Sequence, residues 1–381
     1  MQATIDIEKQ EKSKDYRHWW IFLNALILVF VFTWWADIPQ ALWLFVGAGF
    51  GATLAATPLG FAGNWRRAVL AQDASGVAAH LLLLAAVGWL TIPLLSGVFG
   101  GQFFLFERPI GASLVFGSFV FGVGMQLGGS CTSGSLQRAG GGSLHAVLLI
   151  LGFIGGGFYA SAHYEWWAGQ PNWAPVPLAE EVGWLGAAIF NTLLAGLLFL
   201  LLSKALGWRL QLSKQHFIGV ALLVGLSSLA IVVLGHPWGI VNAFPLMAAK
   251  VYTWWNPDSE LDFWWYWLQP EREEALAEPL LNDPIMVMNI GIVLGAALWV
   301  AWQQGWRWHW QLPWRVWLLA PVAGWMMGYG AILSYGCNIG SLLGGVASGS
   351  LHGWVWLACA FSGSSLACLL VPKLVDSMRS H

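Results

Sequence analysis

Charge is what this sequence has least of. Asp, Glu, Lys and Arg make up 9% of 381 residues against 57% hydrophobic, and a soluble particle of that size could not be coated with so few charges. The chain belongs in a lipid bilayer. Its net charge of −2 gives no sign of a nucleic-acid or acidic partner. Four cysteines are too few for a disulfide framework in so long a chain. No cleavable export signal is evident, because residues 1–18 are polar and charged and the apolar run after them reads as a span. The apolar runs contain no Asp or Glu, so the usual carboxylate proton relay or cation site is missing.

What remains is apolar, aromatic and rich in glycine. Runs able to cross about 30 Å of hydrocarbon as helix fall at 19–35, 41–56, 76–98, 110–127, 144–164, 184–204, 217–234, 285–303, 314–333 and 351–371. They predict an all-α polytopic membrane protein. Lys and Arg concentrate on the cytoplasmic side of such proteins. With the N-terminus inside, Lys9, Lys12, Lys14, Arg17, Arg66, Arg67, Arg138, Lys204, Arg209, Lys214, Arg307, Arg315, Lys373 and Arg379 all fall on the inner side. Only Arg108, Lys250 and Arg272 fall outside, so both termini are expected in the cytoplasm. Many of the 28 tryptophans stand at the ends of runs (Trp19, Trp20, Trp34, Trp35, Trp166, Trp167, Trp254, Trp255), where an amphipathic ring suits the headgroup layer.

An internal repeat divides the chain. Gly122, Gly124, Cys131, Gly134, Ser135 and Leu136 align with Gly328, Gly330, Cys337, Gly340, Ser341 and Leu342 at one constant offset, and Ser143-Leu-His145 matches Ser350-Leu-His352 one residue later. Five predicted spans separate the two cysteine loops, so the copies enter from opposite sides. This is an inverted repeat of about 5+5 transmembrane helices. The expected divisions are a cytoplasmic N-terminal tail (1–18), a first membrane repeat (19–167), an outer connecting loop (168–183), a second membrane repeat (184–371) and a cytoplasmic C-terminal tail (372–381). Within the second repeat, 254–283 is an aromatic and then acidic stretch expected along the outer surface. A looser match joins Pro58–Arg67 to His236–Lys250, each with Pro-x-Gly and a base at its end. Irregular backbone at membrane depth is tolerated where protein buries it or water lines it. Four such segments are therefore expected to meet as paired re-entrant half-helices on one central pathway.

Loops without bulky side chains that open a helix expose unpaired N–H groups, and a helix N-terminus attracts negative charge. Ser130, Thr132, Ser133, Asn338, Asn64 and Asn242 add donors, with Arg66, Arg67 and Arg138 inside and Lys250 outside as nearby bases. Anion handling is the natural inference. Cysteine at equivalent places, Cys131 and Cys337, fits a soft sulfur-bearing anion, because a neutral thiol is a weak donor on a polarizable atom. Neither loop carries the histidines or carboxylates of a metal site, and no metal or cofactor is expected. His145 and His352 open the spans after each loop, as structural residues of a helix start or as caps or gates. Cys359, Cys368, His80 and His163 read as packing residues. The glycines at 122, 124, 328 and 330 read as close helix packing.

These residues resemble the YeeE/YedE sulfur-transport family of bacterial integral membrane proteins over about 45–370. The resemblance is carried by Gly-Gly-Ser-Cys131-Thr-Ser-Gly134 with Arg138-Ala-Gly-Gly-Gly142, by Gly336-Cys337-Asn-Ile-Gly340, and more loosely by Gly63-Asn-Trp-Arg66. It implies a helical inverted repeat whose re-entrant segments narrow to a constriction, where the thiols of Cys131 and Cys337 touch thiosulfate in transit. Thiosulfate-transporting members have a further cysteine where this chain has Gly60. The expected function is therefore uptake of a small sulfur-containing anion such as thiosulfate across the bacterial inner membrane, without enzymatic chemistry. Selenium oxyanions or other sulfur species are an alternative cargo. A different class of reading is a membrane sulfurtransferase with a persulfide cysteine and a cytoplasmic sulfur-carrier protein as partner.

Overall fold

The computed structural model describes residues 38–370. The expected span 19–35 and both tails lie outside the described residues. Nine stretches within them are long and apolar enough to cross a membrane, and they coincide with the other nine runs anticipated from sequence. The helices are α1 (Ile38–Ala56), α2 (Phe61–Ala71), α3 (Ser75–Leu95), α4 (Ala112–Leu127), α5 (Thr132–Gly140), α6 (Leu144–Ala162), α7 (Gly183–Leu206), α8 (Lys214–Leu234), α9 (Ala243–Trp255), α10 (Pro284–Gln304), α11 (Trp314–Leu333) and α12 (His352–Leu370). The long helices are apolar on every side, as helices must be when they face lipid on one side and protein on the other. Their ends are set by local chemistry. Gly207 and Gly235 stop α7 and α8 in the left-handed conformation. Asp283 caps α10 ahead of Pro284 by accepting from Met286 N at 2.6 Å.

Three helices are too short to cross. Helices α2, α5 and α9 have 11, 9 and 13 residues, roughly 14–20 Å at 1.5 Å per residue, against about 30 Å of hydrocarbon. The fourth short segment is a π-helical turn, Asn338–Leu343, continued by Gly344–Ala347. All four fall where the interrupted segments were expected.

Packing is matched at positions that the repeat pairs. A Cβ on Gly122 would collide with the Ala360 carbonyl of α12, and one on Gly328 with the Phe153 carbonyl of α6. Likewise Gly124 approaches the Ala323 carbonyl and Gly330 the Gly117 carbonyl. Hence α4 packs on α12 and α11 on α6, while α4 and α11 cross each other. The Gly142 carbonyl accepts from His309 N and the Gly349 carbonyl from Leu178 N, both at 2.9 Å. Where α3 carries His80, bonded to the Leu59 carbonyl at 3.0 Å, α10 carries Asn289, which donates to the Ile240 carbonyl at 2.8 Å. Each ties the start of a short segment to the next long helix. His80 also stacks on Phe61, so the packing role expected of it is what the structure shows.

These contacts make a stability prediction. Gly122→Leu or Gly328→Leu must push a carbonyl-bearing helix aside, and overpacking of this kind costs about 1–3 kcal/mol. Thermal unfolding in detergent, followed by tryptophan fluorescence, should show both variants melting below the wild type and by similar amounts. An unchanged midpoint for either would refute the close packing.

Tryptophan is divided between two uses. Trp166, Trp254 and Trp255 are exposed, in keeping with headgroup anchors, whereas Trp167 is half-buried and donates to the Tyr329 hydroxyl at 3.0 Å. Trp65 and Trp356 are fully inside the core. The outer segment folds back as a short helix, Pro270–Ala277, flanked by Tyr266 and Trp267, which pack with Tyr164, Leu246 and Ile332 into a second small core. Arg272 lies 3.7 Å from the Tyr266 ring centre.

Candidate functional site

The first cysteine loop turns sharply at Gly129, whose φ of +63° favours glycine. Cys131 is then the extended N-cap of α5. Its Sγ accepts from Gly134 N at 3.4 Å and lies 3.5 Å from the Ser133 hydroxyl. The Ser135 hydroxyl donates to the Cys131 carbonyl at 2.8 Å. Arg138 donates to the Gly129 carbonyl at 3.2 Å and is within electrostatic reach of Cys131. Ser130 is buried, with its hydroxyl on the Cys131 carbonyl at 3.3 Å. This loop is largely satisfied from within, and Trp306 closes it by donating to the Gly140 carbonyl at 2.7 Å.

The second loop is built differently. Tyr335 (φ +62°) and Gly336 (φ +152°) reverse the chain, and a Cβ on Gly336 would come within 2.5 Å of Ser341 N. Only glycine fits there. Cys337 caps the π-helical turn, and its carbonyl accepts from both Ser341 N (2.9 Å) and Leu342 N (3.2 Å). Such wide turns often mark functional positions in helices. The Asn338 side chain is 0% exposed, and neither its amide nitrogen nor its oxygen has a hydrogen-bond partner; the Ser341 hydroxyl is also buried and unpaired. Thr91 and Asn191 hold the far end by donating to the Ala347 and Val346 carbonyls, and Trp354 donates to the Asn191 side-chain oxygen.

The two loops meet. The Cys337 thiol lies within interaction range of the Thr132 hydroxyl and of Cys131. Thr132 Oγ1 has no geometrically sound hydrogen bond and is buried. Two cysteines and a threonine, all buried, thus come together where the two loops meet. Unpaired buried polar atoms are costly, and Thr132, Asn338 and Ser341 of the two loops carry some of those found among the described residues.

The remaining expected residues lie around this centre. Gly340 packs near Gly239 and the Trp238 carbonyl of the loop before α9. Asn64 is occupied structurally, donating to the Pro58 carbonyl at 2.8 Å and accepting from Arg67. Arg66 is buried on α2, and Arg67 pairs with Asp73 at 3.6 Å. Gly60 precedes α2, and a Cβ built there meets nothing within 4 Å, so the position is open to a side chain. Asn242 is exposed and lines an outer cavity of about 320 Å³ with Arg108, His236, Tyr266, Arg272 and Asp283. Lys250 is held by the Leu276 and Glu278 carbonyls; burial lowers its affinity for a proton. In the same cavity burial raises the Asp283 carboxyl above the usual carboxylate range. Sequence reasoning did not single out Ser341, although it is one of the aligned repeat positions, nor Arg108, which stands over the Phe106 ring at 4.6 Å and acts on Tyr335 and His352.

Comparison with known proteins follows from this geometry. The family described as sulphur transport matches residues 56–366. The chain is also 26% identical over 338 residues to the thiosulfate transporter TsuA of Spirochaeta thermophila, an alignment covering 82% of this chain and 93% of that relative.

Proposed function

This chain belongs to the sulphur transport family, and from that premise we propose that it takes up a small sulfur-containing anion, thiosulfate foremost, across the bacterial inner membrane. Both termini are cytoplasmic in this reading, and the two halves form an inverted repeat around one pathway. The anion meets Cys337 from outside and leaves by way of Cys131. The observation that carries the reading is the buried, unpaired set Asn338, Ser341 and Thr132 beside the two thiols. A single helix N-terminus contributes about 0.3–1 kcal/mol, up to about 2 when partly buried, which is too little to strip water from a dianion. Hydrogen bonds to a charged group add roughly 1.5–3 kcal/mol each, and several together with two opposed termini offset much of that desolvation.

Neutral thiols are the appropriate contacts. A thiolate would repel the cargo, whereas an S–H is a weak donor on a polarizable atom and lets the anion move on. The thiosulfate transporter relative supports thiosulfate as cargo. Gly60 leaves two thiols on the path rather than three, which keeps selenium oxyanions within the cargo class.

Purified protein in liposomes should take up sulfur-labelled thiosulfate saturably, with sulfite, sulfate and selenite ranking as competitors. Uptake no faster than in protein-free liposomes would overturn the reading. Intact mass after turnover should show unmodified cysteines, and a stable gain of one sulfur on Cys131 would assign the protein to sulfur transfer instead.

A further inference from the structure

The absence of carboxylates from the spans leaves histidine as the side chain best suited to carry a proton there. Two histidines stand at equivalent places, each opening the long helix that follows a cysteine loop. His145 begins α6 after the Cys131 loop, and His352 begins α12 after the Cys337 loop. Both are buried. Neither ring nitrogen of His145 has a hydrogen-bond partner. His352 Nδ1 is 2.8 Å from the Ser350 hydroxyl, and its Nε2 is unpaired, lying against Gly345 in the helix continuous with the Cys337 turn. Other histidines are used differently: His80 holds the Leu59 carbonyl, and His216 closes the Ser213 capping box.

One arginine also lies within electrostatic range of each of the pair. Arg138 is the charged group acting on His145, and Arg108 the one acting on His352. Ser350, Gly345 and the Phe106 ring also touch His352, and none of them carries a charge. An arginine opposes a second positive charge beside it, and an anion arriving at that arginine removes the opposition. Proton and anion then favour each other's binding, and the linkage is reciprocal.

We propose that His145 and His352 each accept a proton as the anion passes, which makes the protein an anion–proton symporter with up to two protons per dianion. This rests on the transport reading above. It supplies the driving force that reading lacks, since a dianion entering a cell negative inside is opposed by roughly three orders of magnitude per 100 mV. Two protons cancel its charge.

The test uses the full chain in liposomes loaded with a pH-sensitive dye, with thiosulfate added outside. The wild type should acidify the lumen as thiosulfate enters, and each unit of outward acidity should raise accumulation about 100-fold for two protons. His145→Gln or His352→Gln should lower that factor to about 10. In the double variant, acidification should vanish while uptake persists only under an inside-positive potential. Wild-type uptake without acidification would overturn the coupling and leave transport standing, as would acidification at wild-type level in the double variant. No wild-type uptake at all would overturn both.

Discussion

Asn338→Asp is expected to reduce thiosulfate uptake by at least about three orders of magnitude while leaving a folded protein. The substitution keeps the shape of a fully buried side chain whose two polar atoms have no partner, so packing changes little. What changes is charge. A carboxylate about 4 Å from an anion is repelled by roughly 4 kcal/mol per unit charge at an effective dielectric of 20, and about 1.4 kcal/mol is tenfold. Asn338→Leu, which removes the donor without adding charge, should lose only the roughly 1.5–3 kcal/mol of a hydrogen bond to an ion. Initial uptake rates for both, with a gel-filtration profile to show folding, decide the matter. Equal, mild effects of Asp and Leu would mean that no anion passes Asn338.

Cys131→Ala and Cys337→Ala are expected to slow uptake by about 10- to 100-fold each, the loss of one donor to a charged cargo. Stability should change little at Cys131, because its sulfur is a long, weak cap for Gly134 N at 3.4 Å. Cys337 is the more informative of the two. It lies within interaction range of Thr132 of the other loop, so its removal thins the contact set while the Cys131 loop remains closed on itself. Serine at either place should restore part of the rate, since a hydroxyl donates but is smaller and less polarizable. Wild-type rates in both alanine variants would remove the thiols from the pathway.

Both predictions depend on an asymmetry between loops that share a motif. Cys131 opens a regular helix whose Ser135 bonds back to the loop. Cys337 opens a π-helical turn whose Ser341 does not. The extra residue per turn swings the Cys337 carbonyl onto two N–H groups and leaves side chains facing inward without partners. The first loop is closed largely by its own hydrogen bonds, whereas the second keeps Asn338 and Ser341 without partners.

Membrane residence, nine of the spans and the location of the four short segments were legible in the residues. Length and hydropathy decide whether a helix can cross, and glycine with proline marks where it cannot continue. The cysteine pair was legible too, because a motif repeated at constant spacing survives in sequence whatever its surroundings. What each polar side chain does was not. Asn64 and Asn338 look equally suited to binding an anion as letters in a chain, yet one is spent on the Pro58 carbonyl and the other is left unpaired. Asn242 lines a cavity with Arg108, His236 and Asp283 that neither Cys131 nor Cys337 lines. Hydrogen-bond partners come from segments distant in sequence, so only the packed chain decides which donors are consumed by structure and which remain for a ligand.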